Sequence, residues 1–388
     1  MKVGPFQVTY CTNVHPGESL RDLNRILSTE VGAVKALVAP QIAMGAGLRM
    51  GNTVIRELTE DSAALKSLAA LCSEKDYRVF TANGFPYGDF AANVIKADVY
   101  RPAWYLEDRV RYTKELARVL AALPGPSHRT ISTVAGGFLP DTQDAAIKTL
   151  VARNLRRSAE DLARIADDTG VHIRLCLEPE PWTMLETTAD VLCFFEDYLP
   201  ASLPFIRDHL GVCYDCCHQA IHFEDSASSI RQLVDAEITI GKVQVSSALH
   251  LDDPSNAAHR EALLRFAEPR FLHQVVAQDG DTLLRCLDLE ALANPTDEFV
   301  NADAWRCHFH VPIWWTGDGV LGTTKGDWEA AVRALQSLGV SPHLEIETYT
   351  WHVLPESDRG DMESGDLTAS VAAEFDALLA ALSGGPPE

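Results

Sequence analysis

Residues 173–181 read Ile-Arg-Leu-Cys-Leu-Glu-Pro-Glu-Pro, an apolar run that ends on a glutamate and is stopped by proline. The run is short, mostly apolar and closed by a residue with no amide proton, so it predicts a strand over 173–178. The same grammar recurs along the chain. Strand-like runs lie at 6–13 (FQVTYCTN), weakly at 47–50, and at 78–84 (RVFTANG), 130–135 (TISTVA), 211–215 (GVCYD), 242–246 (KVQVS) and 343–350 (HLEIETYT). Between and after them lie helical patterns. The first puts Leu20, Leu23, Ile26 and Leu27 on one face, and others cover 62–72, 106–123, 145–168, 189–198, 226–235, 327–338 and 367–382. Strands apolar along most of their length are covered on both faces, which means a parallel sheet under helices. Eight strand–helix alternations favour a closed α/β (β/α)8 TIM barrel over an open sheet. Residues 250–326, after the seventh strand, are too long for an ordinary loop and contain strand-like pieces at 271–276 and 307–313. The expected organisation is one barrel domain over 1–382 with that insertion, and a flexible tail at 383–388 (SGGPPE).

The 388 residues carry 33 Lys+Arg against 55 Asp+Glu, a formal charge of −22. Such a chain repels nucleic-acid backbones and anionic membranes in bulk, although a local basic pocket overrides that at short range. No nucleic-acid partner and no membrane insertion are expected. Residues 1–10 lack the basic and apolar regions of a signal peptide, and the nine cysteines are odd in number and scattered, several in apolar runs. Both point to a cytoplasmic protein with reduced thiols. Cys213, Cys216 and Cys217 lack a second CxxC and are not taken as a zinc or redox site. The glycines of residues 44–51 (MGAGLRMG) do not follow the dinucleotide-binding pattern.

Reactive groups of a parallel barrel gather at the C-terminal ends of its strands. There the chain offers Glu178 and Glu180, then Asp215 and His218, then Gln244, then His308 and His310 in the insertion, then Glu345 and Glu347. Alternation along a strand turns Glu345 and Glu347 to one side, and likewise His308 and His310. Two buried carboxylates facing one space repel unless a cation sits between them, and imidazole with carboxylate suits zinc, manganese or iron. Alone, a DxxH is a capping turn, an HxH an exposed strand face, and Gln244 a core hydrogen-bonder. On consecutive strand ends the set reads as a metal site. Phe85, Tyr87, Trp182, Trp314, Trp315, Tyr349 and Trp351 near the same ends suit stacking on a sugar-like polyol.

The order of these residues resembles the xylose isomerase-like TIM-barrel superfamily. More closely, TYCTNVHPGES (9–19), FTANGFPYGDF (80–90), LCLEPEP (175–181), FLHQV (271–275), CHFHVPIWW (307–315) and LEIETYTWHVLP (344–355) resemble the EboE family of "metabolite traffic" proteins. The resemblance implies metal ligation by Glu178, Asp215, His218 and Glu347, with Gln244 where endonuclease IV-type repair enzymes have a histidine. His308 and His310 stand where those enzymes have Asp-x-His, and Asn83 replaces a further histidine. One or two divalent ions per chain are therefore expected, with Glu178 and Glu347 as catalytic carboxylates. Asn83, Phe85, Tyr87, Glu180, Trp182, His273, Trp314, Glu345 and Tyr349 are the substrate-binding candidates. The function so implied is a metal-dependent isomerase or epimerase of a sugar-like or cyclitol polyol, in a biosynthetic or metabolite-export pathway, and the reading admits a homodimer. A non-catalytic metabolite-carrier barrel is the alternative. An endonuclease IV-like phosphodiesterase is disfavoured by the charge and the missing histidines.

Overall fold

Eight parallel strands form the barrel wall: β1 (Phe6–Tyr10), β2 (Met44–Arg49), β3 (Tyr77–Asn83), β4 (His128–Val134), β5 (His172–Glu178), β6 (Leu210–Asp215), β7 (Ile240–Val245) and β8 (His343–Ile346). This computed structural model describes residues 1–200, 202, 204–356, 359 and 366–384. Of the expected tail, Ser383 belongs to the last helix, Leu367–Ser383, Gly384 follows it, and 385–388 lie outside the described residues. Strand order runs β1-β8-β7-β6-β5-β4-β3-β2, and a parallel bridge between Cys11 and Gly47 brings β1 to β2. Pairing in register sets Asp215 beside Gln244 and Gln244 beside Glu345.

Local chemistry explains the helix limits. Ser19 with Asp22, and Thr187 with Asp190, form capping boxes that start Leu20–Ser28 and Thr188–Tyr198. Gly170 and Gly339 end Ala145–Thr169 and Lys325–Leu338 in left-handed conformation, at φ 71° and 67°. Among the helices of eight residues or more, three were not foreseen: Glu30–Val38 and Asn52–Glu60, which begin without a side-chain cap, and Ala257–Leu264 within the insertion.

Three expectations need correction. The strand at 47–50 begins earlier and contains the glycines: a Cβ on Gly47 would collide with the Glu345 carboxylate and come within 2.7 Å of the Tyr10 carbonyl. The strand expected over 343–350 ends at Ile346, because the Glu347 carbonyl accepts from His310 Nδ1 at 2.8 Å and the Thr348 hydroxyl turns to Glu374 at 2.5 Å. The insertion holds more strand than 271–276 and 307–313. Ser247–Leu251, Val275–Asp279, Thr282–Cys286, Ala304–Val311 and Gly322–Thr323 form an antiparallel sheet of five strands beside the barrel mouth.

Buried ionisable groups tie this frame together at two places. Inside the barrel, Lys242 Nζ lies 2.6 Å from Glu345 Oε2 and donates to Ser132 Oγ at 3.2 Å, with both ionic side chains fully buried. Burial, the largest single effect, pulls the Lys242 ammonium down, but Glu345 together with Cys213, Cys11 and Glu178 outweighs it and holds the group above its ordinary range. Behind the mouth, Glu374 accepts from Thr348 Oγ1 and from the Ile313 amide at 3.2 Å, joining the segments after β8 and after Ala304–Val311. Burial pushes the Glu374 carboxyl up to about 8.

Lys242→Met leaves Glu345 buried and unpaired, so the urea midpoint should report a loss of about 3–5 kcal/mol, and pairing it with Glu345→Met should recover most of that. A single variant as stable as the parent would mean the pair bears no part of the fold. For Glu374 the folded carboxyl titrates above the unfolded one. Its contribution is complete below the ordinary carboxylate range and is lost as pH rises to about 8. Glu374→Gln should therefore flatten the stability–pH profile across that window and be most favourable, relative to the parent, at its alkaline end. Parallel profiles would contradict a neutral buried Glu374.

Candidate active site and metal centre

Asp215 closes β6 and also caps the short helix Cys216–Ile221. Its Oδ1 accepts from the His218 amide at 2.9 Å and from Ser246 Oγ at 2.7 Å, while its Oδ2 finds no partner. The DxxH spacing thus serves as cap and as site at once: His218 Nε2 lies 3.8 Å from Asp215 Oδ2. Glu178, at the end of β5, also leaves Oε2 buried and unpartnered. Glu347, just beyond β8, accepts at Oε1 from Asn13 Nδ2 and Asn83 Nδ2, each at 2.8 Å. Oxygens of Glu178, Asp215 and Glu347 lie within 4.8 Å of one another.

Three histidines face this carboxylate set. His218 Nδ1 is 3.2 Å from the Pro179 carbonyl, His310 Nδ1 is 2.8 Å from the Glu347 carbonyl, and His308 Nδ1 is 2.7 Å from Gln274 Oε1. Gln274 cannot be turned round, because its Nε2 donates to the Pro181 carbonyl at 3.1 Å. Every one of those partners is an oxygen that only accepts, so each Nδ1 carries the proton and each Nε2 presents a lone pair. Burial keeps the rings neutral: His218 is lowered to about 4, and His310 and, further, His308 are lowered too. Ligand atoms of Asp215, His218 and His310 come within 4.8 Å of one another, as do those of Glu180, His218 and His308.

The carboxylates are perturbed the opposite way. Burial, then the neighbouring Glu347 and Asp215, hold Glu178 well above its ordinary range; burial, then Asp215 and Glu345, do the same for Glu347. Glu180 accepts from the Tyr100 hydroxyl at 2.9 Å, and burial raises it to about 8. Unpartnered atoms on Glu178, Asp215 and His310 leave donor positions open around Asp215, and both amide ends of Gln244, beside Asp215 in register, are unpartnered as well. Neutral imidazoles with carboxylate and amide oxygens fit a divalent cation.

The structure thus gathers Glu178, Glu180, Asp215, His218, Gln244, His308, His310, Glu347 and Asn83. Of the aromatic candidates, Phe85 and Tyr349 line a cavity with room for about 50 Å³ of solvent beside Glu178, Glu180 and Glu347. The others are placed elsewhere. Tyr87 packs edge-on against Tyr112 at 5.1 Å, and Trp182 carries the Arg285 guanidinium 4.3 Å over its ring. Trp314 packs half-buried against the core. His273 is held by the Glu268 carboxylate at 2.8 Å and the His308 carbonyl at 2.7 Å, so it braces the strand that bears His308 and does not line that cavity. Glu345 sits deeper in the barrel, where Lys242 is its counter-charge in place of the cation expected between it and Glu347.

Sequence reasoning missed Asn13, Tyr100, Gln274 and Lys242, and it set aside Cys217, whose Sγ lies within 4.8 Å of His308 and His310 ligand atoms. Asn13 closes the first strand-like run and Lys242 stands two residues before Gln244, so both carried a positional signal. Gln274 was hidden by its neighbour His273, which faces the other way. Tyr100, in the 3-10 turn Lys96–Tyr100, carried none.

No protein-family model and no curated protein sequence matches the chain. Solved structures do. A xylose isomerase-like TIM barrel protein from Mycobacterium smegmatis, in complex with magnesium, is similar over 97% of this chain and 97% of its own, at 10% identity and a TM-score of 0.52. The probable 3-DHS dehydratase AsbF involved in petrobactin synthesis, from Bacillus anthracis, is similar over 96% of this chain and 98% of its own, at 13% identity and a TM-score of 0.51. The chain has the xylose isomerase-like TIM-barrel fold.

Proposed function

We propose that the protein is a divalent-metal-dependent isomerase or epimerase acting on a sugar-like or cyclitol polyol, as its resemblance to the EboE family and the wider superfamily suggests. The observation that carries this reading is the convergence of three carboxylates with His218 and His310, whose Nδ1 atoms are spent on carbonyls and whose Nε2 lone pairs are left over, and with His308 beside them. Glu178, Asp215, His218, His310 and Glu347 would hold the metal, with Gln244 and His308 in reach. A bound divalent ion supplies a Lewis acid that polarises a carbonyl and acidifies the neighbouring carbon. The chain supplies the rest. Glu178 Oε2 has no protein partner and is the oxygen that takes a proton from that carbon and returns it. Glu347 Oε1, held by two amide donors, orients and does not shuttle. Tyr100 and Glu180 offer hydrogen bonds to hydroxyls, while Phe85 and Tyr349 cover apolar sugar faces and exclude water. The magnesium bound by the mycobacterial barrel and the dehydratase named in Bacillus anthracis belong to proteins of the same fold and accord with this reading.

Calorimetric titration with manganese and zinc should show binding that Asp215→Asn weakens by about a hundredfold or more, at least what loss of a supporting residue costs such sites. With metal present, incubation with candidate ketoses and inososes in deuterated water should place deuterium on the carbon beside the carbonyl, and Glu178→Gln should stop it. Metal binding with tight ligand binding but no exchange for any candidate would turn the reading to a carrier; no metal binding would overturn it.

A further inference from the structure

Beside the carboxylate–histidine cavity lies a second recess of about 30 Å³, and the two share Asn13, Phe90, Phe271 and Tyr349 as walls. Two guanidinium groups line it. Arg49, from the end of β2, is 8% exposed and gives one terminal nitrogen to Glu18 at 2.5 Å and the other to the Gly88 carbonyl. Its Nε is buried and has no acceptor. Arg270 is half-buried and its Nε is likewise without an acceptor. Among the described residues no carboxylate pairs with the Arg270 guanidinium. The two arginines sit against an aromatic pair: Arg49 Cζ is 5.8 Å from the Phe90 ring, Arg270 Cζ is 5.9 Å from the Phe271 ring, and the rings are 5.1 Å apart.

Lys96 shows the contrast. It lines the neighbouring cavity, yet its ammonium is engaged by Asp288 at 2.6 Å and by the Phe271 and Glu268 carbonyls at 2.7 and 3.0 Å. In a chain of charge −22, with four acidic side chains at the mouth, two buried guanidinium N–H groups without acceptors are costly unless a ligand completes them. Guanidinium donors match the oxygens of carboxylates and phosphates.

We propose that this recess is an oxyanion subsite. A ligand whose polyol body lies along Tyr349 and Asn13 toward Glu178 and Glu347 carries a carboxylate or phosphate that accepts from Arg49 Nε and Arg270 Nε. The substrate class is then an anionic sugar or cyclitol derivative, and the inference rests on reading the neighbouring cavity as a polyol site.

Calorimetry with D-gluconate, D-glucitol 6-phosphate and neutral D-glucitol tests it, because the three share a polyol body and differ in the end group. The anions should bind the wild type roughly tenfold tighter than D-glucitol or better, the effect of one or two charge-assisted hydrogen bonds, and the tighter anion identifies the natural end group. Arg270→Gln, at a half-exposed position, should erase that preference and leave D-glucitol binding unchanged; Arg49→Lys should reduce it. Anions that bind no better than D-glucitol, or an Arg270→Gln protein that keeps the preference, overturn the subsite. Manganese titration of the same samples separates the two readings. Metal binding without anion preference removes the subsite alone, whereas absent metal binding removes the polyol site on which it rests.

Discussion

Three buried carboxylates cannot all be charged in one place without an answering cation, and the mouth of this barrel is arranged around that constraint. Oxygens of Glu178, Asp215 and Glu347 lie within 4.8 Å of one another, so each ionised pair repels by about 3–4 kcal/mol at an effective dielectric near 20. Three such pairs amount to about 10 kcal/mol, comparable to the whole stability of an ordinary domain. The group must hold protons or a metal. Both outcomes agree with carboxyls held above their ordinary range beside histidines held below theirs, since each type sheds its charge when buried.

The rest of the interior is consistent with that load. Lys242 stands beneath the mouth and neutralises Glu345, so the repulsion does not extend a layer deeper. Glycine at position 47 leaves room for the Glu345 carboxylate where any side chain would collide. Asn13 and Asn83 fix Glu347 with uncharged donors, which orient the carboxylate without cancelling its charge. Across the mouth, the insertion contributes His308 and His310 from an antiparallel strand, and Glu374 ties the end of that strand to the turn after Glu347. The insertion is therefore part of the site, and its length follows from the need to carry a strand back over the barrel.

Much of this was legible in the sequence because burial on both faces leaves a plain signal. The runs ending in Glu178 and Asp215 became β5 and β6 nearly residue for residue, and the DxxH and HxH spacings put their side chains where alternation and helical pitch require. The second strand was faint because Gly45 and Gly47 replace apolar side chains where β1 and β8 crowd it. Helices lacking a side-chain cap, such as Asn52–Glu60, gave no starting signal. Proximity to a strand end misled for the aromatics: Tyr87, Trp182 and Trp314 follow strands, but an aromatic there turns to the core, or under a cation, as readily as to a ligand. Lys242 was overlooked because a buried lysine is exceptional, and only its partner on another strand makes it intelligible.

The site also shows that the structural and the chemical reading of a polar residue need not compete, because they divide between atoms of the same group. Asp215 gives Oδ1 to a helix cap and keeps Oδ2 open. His218, His308 and His310 spend Nδ1 on fixed oxygens, which decides the tautomer and leaves Nε2 to face the cavity. Glu347 gives its carbonyl to His310 and its carboxylate to two asparagines, so one residue orients a histidine and is itself oriented. An isosteric change keeps the atom that serves the fold and alters the one that serves chemistry: asparagine at 215 still caps through Oδ1, whereas alanine removes both. The precision of such a centre comes from hydrogen bonds that would exist for the sake of the fold alone.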